Sequence, residues 1–162
     1  MYTRICATLA RWCMWVGVVG LVLLIVAVAV QVFGRYVLNS TPTWAESLAL
    51  LLVLYVTMLG VAAGVRDAGH IGLESFLVLL PEKQRLRFEM LIHVLVACFG
   101  ALMAWYCLML GISVMDYKLP TLGVSESLRY WPAAIAGVLI VLFSIEHLIA
   151  LVQGRAVEPS WH

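Results

Sequence analysis

Four stretches of this sequence, roughly 12–37, 44–65, 88–112 and 131–152, are each predominantly apolar over about 20 residues or more. Crossing the hydrocarbon core of a bilayer as an α-helix takes about 20 apolar residues. Lipid offers no water to bond backbone N–H and C=O groups, so such stretches satisfy those groups internally by forming helices. Breakers separate them. Asn39, Ser40, Thr41 and Pro42 make the first break, and Asp116, Lys118, Pro120, Gly123 and Glu126 lie in the third. Composition agrees, with 64% of residues hydrophobic and 12% charged, against about 25% charged in a typical soluble domain. A net charge of +1 gives no basic surface for a nucleic-acid partner. The chain reads as a single all-α integral membrane domain, residues 1–162, of four transmembrane helices.

The first apolar run follows Arg4 and Arg11, as the core of a signal peptide would. It extends from Trp12 to Phe33, about 22 residues, whereas a signal-peptide core has about 7–15. It is expected to be a retained membrane anchor. The second connection, about 66–87, is long enough to carry structure. Leu73, Phe76, Leu77 and Leu80 recur at i, i+3, i+4 and i+7, the spacing of one helical face. Too short to span, residues 71–80 are expected to form an interfacial helix between helices 2 and 3, with Pro81 starting the next helix. Lys83, Arg85, Arg87 and Glu89 precede the third apolar run.

Lys and Arg set orientation. The N-terminus, second connection and C-terminus carry seven (Arg4, Arg11, Arg66, Lys83, Arg85, Arg87, Arg155), and the opposite side three (Arg35, Lys118, Arg129). Both termini are therefore expected in the cytoplasm. Trp12 and Trp15 would mark the inner interface of helix 1, and Tyr36, Trp44, Tyr130 and Trp131 the outer one.

Few residues could carry chemistry. Thr43 and Glu46 have the spacing of a capping box at the start of helix 2, and equally of a contact with a partner subunit. Gly60 and Gly64 form a GxxxG, which lets another helix approach closely, from this chain or another. Glu146 and His147 lie about 8 Å inside helix 4, level with His93 on helix 3. They can pair as Glu–His between helices. Alternatively, His93 and His147 could ligate haem b, making the chain a haem-bearing membrane anchor of a redox enzyme. Cys6, Cys13, Cys98 and Cys107 form no CxxC and read as packing residues. There is no P-loop, HExxH or Ser–His–Asp set, and helix 1 has only Gln31 as an internal polar residue. Neither an enzyme nor a cofactor is implied, and a self-sufficient small proton-coupled exporter lacks its membrane carboxylate.

The order of several short motifs resembles a known family. Arg35-Tyr36 closes helix 1 and is followed by Trp44-x-Glu46. Then come Leu59-Gly60-x-Ala62, Arg66-x-x-Gly69-His70-Ile71, Leu80-Pro81 and the basic Arg85 and Arg87. Thr121-Leu122-Gly123 and Tyr130-Trp131-Pro132 follow helix 3. The chain resembles the small membrane subunit (DctQ type) of tripartite ATP-independent periplasmic (TRAP) transporters. Family members often have a second acid where this chain has Ser47. The resemblance implies a multi-pass subunit of a bacterial inner membrane, without a substrate site. It would brace a separate large membrane subunit during ion-gradient-driven uptake of a carboxylate delivered by a periplasmic binding protein. Arg35, Tyr36, Trp44, Glu46, Gly60, Gly64, Arg66 and His70 become candidates for structural or subunit contacts, the charged ones at partly wet hairpin ends.

Overall fold

The computed structural model describes residues 2–40, 42–67 and 81–153. Among them are four long helices, α1 (Tyr2–Tyr36), α2 (Thr43–Asp67), α3 (Glu82–Ser113) and α4 (Trp131–Val152), with a 3-10 turn at Glu126–Arg129 ahead of α4. Each is long and apolar enough to cross a membrane. The expected interfacial helix at 71–80 and His70 lie outside the described residues.

The helices form two hairpins, α1 on α2 and α3 on α4, joined mainly through α2 and α4. Large side chains contribute little to these contacts. α1 buries Cys6, Ala10, Cys13, Gly20, Ala27 and Gly34, whose spacing makes one helical stripe. α2 buries Ala45, Ala49, Ala62 and Ala63. In lipid, apolar side chains gain little by leaving the solvent, so helices associate through close backbone approach at small residues. The closest approach lies between α3 and α4. A Cβ on Gly137 would sit 2.6 Å from the Gly100 carbonyl oxygen and 2.7 Å from the Ala104 nitrogen. α4 is the central helix; Ile140 and Phe143 are almost fully buried on it, in a core with Cys6, Ala10, Ala62 and Ala63.

α4 coincides with its apolar run, whereas α1 and α3 begin at Tyr2 and Glu82, ahead of the apolar runs at 12 and 88. Hydropathy marks the part of a helix that crosses lipid, and the helix itself continues while its residues have partners. In α1 that extension holds Cys6 and Ala10 against the core. In α3 it is supported by an Arg85–Glu89 ion pair of 2.7 Å at i, i+4. With 35 and 32 residues, α1 and α3 are about 52 and 48 Å long, enough to pass through the headgroup layers as well as the hydrocarbon.

At the end of the bundle opposite Tyr2, the turn after α1 folds back so that the Ser40 N–H donates to the Gly34 carbonyl at 3.0 Å. Pro42 then packs where a Cβ on residue 34 would lie. The α3–α4 connection is a small ordered structure. The Leu119 N–H donates to the Val124 carbonyl, and the Glu126 N–H to that of Tyr117, both at 2.8 Å. The Ser125 hydroxyl caps the 3-10 turn by accepting from the Ser127 N–H. Ser47 of α2 reaches this connection through a 2.6 Å hydroxyl–hydroxyl bond to Thr121.

Candidate functional site

Charge inside a bilayer is costly, about 2.5–3.5 kcal/mol per group at a helix centre on insertion scales. Buried charges therefore persist where something compensates them. At the N-terminal end of the bundle, four helices bring such groups together. Arg66, the penultimate residue of α2, is only 3% exposed. Its Nε donates to Glu146 Oε2 of α4 at 2.9 Å and its Nη2 to Oε1 at 3.1 Å. Two parallel bonds of this kind fit a planar guanidinium to a planar carboxylate. Arg66 Nη1 also donates to Asp67 Oδ1 at 2.8 Å. The cation lies in the last turn of α2, where the helix dipole favours it.

The backbone takes part too. The Arg66 carbonyl is among the last four of α2, which have no partner within the helix. His147 Nε2 lies 2.9 Å from it. A carbonyl only accepts, so Nε2 carries the proton. The His93 ring of α3 stacks on His147, with centroids 4.6 Å apart and planes 6° from parallel. From α1, the Tyr2 hydroxyl donates to the Leu142 carbonyl at 2.7 Å, and Cys6 packs beside Glu146 and Tyr2.

This arrangement changes three expectations. Glu146 makes its ion pair with Arg66 of α2 in place of the expected Glu–His pair between helices, and adjacent residues on a helix point about 100° apart. Glu146 faces α2 while His147 reaches α3 and the end of α2. Arg66 is thus enclosed, not partly wet. His93 and His147 do meet, but face to face. The lone pairs of an imidazole lie in its ring plane, so stacked rings do not aim nitrogens at one metal between them, and the haem reading does not fit. Among the described residues, no group of three His, Cys, Asp or Glu is placed to hold a metal ion.

The other sequence candidates lie apart from this cluster. Arg35, Tyr36, Trp44 and Glu46 are exposed at the opposite end of the bundle. Thr43 is already helical, and the Ala45 N–H donates to the Pro42 carbonyl at 3.0 Å. Thr43 is therefore inside the first turn and not at the cap position that a capping box requires. Gly60 is exposed and Gly64 half-buried. A Cβ at either would meet nothing within 4 Å among the described residues, so none of the described helices uses that close-approach surface. Sequence reasoning missed the roles of Asp67 and Tyr2, whereas Cys6 packs in the core as expected. The available signal was that α2 and α4 end on the same side of the bundle with opposite charges near their ends.

Comparison with known proteins places the chain in a family. Residues 24–154 match the family described as "Tripartite ATP-independent periplasmic transporters, DctQ component". The chain is 29% identical over 128 residues to the sialic acid TRAP transporter small permease protein SiaQ of Vibrio cholerae serotype O1, covering 76% of this chain and 71% of that protein. A putative TRAP transporter small permease protein of Haemophilus influenzae is 24% identical over 134 residues, 81% of each chain. The sialic acid TRAP transporter permease protein SiaT of another Haemophilus influenzae strain is 35% identical over 71 residues, 44% of this chain but 12% of that protein.

Proposed function

This chain belongs to the DctQ family of TRAP transporters, and we propose on that footing that it is a non-catalytic scaffold subunit bracing a separate, larger permease. The larger subunit would carry the substrate path, and a periplasmic binding protein would supply the solute. Relatives named for sialic acid support a carboxylate as that solute and an ion gradient as the driving force. The short match to the much longer SiaT supports a working position beside a large permease. The basic-residue bias supports a bacterial inner membrane with both termini in the cytoplasm.

The observation that carries the scaffold reading is the Arg66–Glu146 pair. Residues that bind a substrate or couple an ion inside a membrane must exchange partners during transport. Here Arg66 is engaged by two carboxylates, and the pair joins α2 to α4 from opposite hairpins. That is the arrangement of a fixed brace. The exposed candidates Arg35, Tyr36, Trp44, Glu46 and Gly60, with half-buried Gly64, are available to meet the larger subunit, the glycines being suited to a closely packed helix.

The test is co-expression with the cognate large permease carrying an affinity tag. The chain is expected to co-purify in fixed stoichiometry in mild detergent. Recovery of the large permease alone, fully stable and without this chain, contradicts the reading.

A further inference from the structure

The geometry points to an anionic-phospholipid site on the first three turns of α1, formed by Arg4 with the apolar groove beside it and by Arg11 two turns on along the same helix face. Cys6, Ala10 and Cys13 turn one face of this segment into the core. Arg4 and Arg11 lie outside that face and are exposed, seven residues and therefore about 10.5 Å apart along the axis. Among the described residues, neither forms an ion pair, although Arg66, Arg85 and Arg129 all do. Ile5, Leu9 and Trp12 line a shallow groove that begins at Arg4. Trp12 and Trp15, 67% and 70% exposed, stand where the apolar run begins.

Each part matches part of a phospholipid. Indole rings settle at the boundary between hydrocarbon and headgroups. That boundary sets Arg11 at headgroup depth and Arg4 about 10.5 Å further out along the axis, on the aqueous side of the headgroups. A guanidinium fork matches phosphate oxygens geometrically and electrostatically. The groove of Ile5, Leu9 and Trp12 beside Arg4 accepts the glycerol part of the headgroup. The inference commits to a membrane lipid because the site is continuous with the lipid-facing surface of α1 and its unpaired charge is positive. It goes beyond the scaffold reading and does not depend on the larger subunit.

The experiment is native mass spectrometry of the purified full chain, titrated separately with phosphatidylglycerol, cardiolipin and phosphatidylcholine. Wild type is expected to retain the anionic lipids in preference to phosphatidylcholine. At about 1 kcal/mol per basic residue near an anionic surface, R4Q or R11Q should each weaken anionic-lipid retention about fivefold, and R4Q/R11Q about 30-fold. Retention of phosphatidylcholine should not change. R129Q, at the opposite end of the bundle, should retain anionic lipid like wild type. Equal retention of anionic and zwitterionic lipid by wild type overturns the site, as does undiminished anionic retention in R4Q and R11Q. The single variants are read independently, so misfolding of the double variant leaves the result decisive.

Discussion

Among the described residues Arg66 has two carboxylate partners, Glu146 and Asp67, whereas Glu146 pairs with Arg66 across helices. This asymmetry predicts an order of effects. Removing one member of a buried ion pair costs about 3–5 kcal/mol because the other charge is stranded. Arg66→Ala strips both carboxylates of a shared partner, while after Glu146→Ala the guanidinium keeps Asp67. Thermal unfolding of the purified chain should therefore show Arg66→Ala to be the more destabilising. The double change Arg66→Met with Glu146→Leu should recover much of the loss, since apolar replacement of a whole buried pair is often neutral. If Glu146→Ala is as stable as wild type, the pair is not the brace described above. Glu46→Ala should do much less. Glu46 is exposed in the first turn of α2, where a carboxylate contributes about 0.3–1 kcal/mol through the helix dipole. The depth of Glu146, His147 and His93 was legible from their positions within apolar runs. Their partners were not, because depth does not give azimuth, and Arg66 and Glu146 are 80 residues apart in sequence.

Among the helices, small residues serve two different surfaces, which substitution by alanine can separate. At Gly137 the added methyl would meet the backbone of α3. Gly137→Ala should therefore push α3 from α4 and lower stability by about 1–3 kcal/mol, the usual effect of overpacking. At Gly60 and Gly64 the methyl meets nothing among the described residues. Alanine there should leave the isolated chain as stable as wild type, or up to about 1 kcal/mol more stable per site through helix propensity. The measurement pairs unfolding of the isolated chain with recovery of the complex. Intact stability with reduced recovery of the large permease locates the partner on this face of α2, and unchanged recovery removes these glycines from the interface. The four helices themselves were legible, because hydrophobic runs of bilayer length admit little else. The early starts of α1 and α3 were not, since there the helix is prolonged by packing at Cys6 and Ala10 and by the Arg85–Glu89 pair, which hydropathy does not register. The GxxxG spacing was equally visible but carried no direction, and Gly100 with Gly137, which lack that spacing, make the close contact within the chain.

At the scale of the whole molecule, two hairpins fastened at both ends make a stiff slab. The charged cluster ties α2 to α4 at one end, and the Ser47–Thr121 bond ties α2 to the α3–α4 connection at the other. The seven-to-three bias of Lys and Arg predicts where those ends face. Reporter fusions at the C-terminus should read cytoplasmic and fusions near Lys118 periplasmic; a periplasmic signal at the C-terminus contradicts the orientation. Two hairpins tied to each other at both ends suit a bracing subunit, and that role is tested most directly by uptake in reconstituted vesicles. Labelled carboxylate substrate is supplied with its binding protein and an imposed ion gradient. Vesicles holding this chain and its large permease together should accumulate substrate without ATP, while vesicles holding either membrane subunit alone should not. Substrate accumulation by this chain alone, or undiminished accumulation by the large permease without it, would contradict the account.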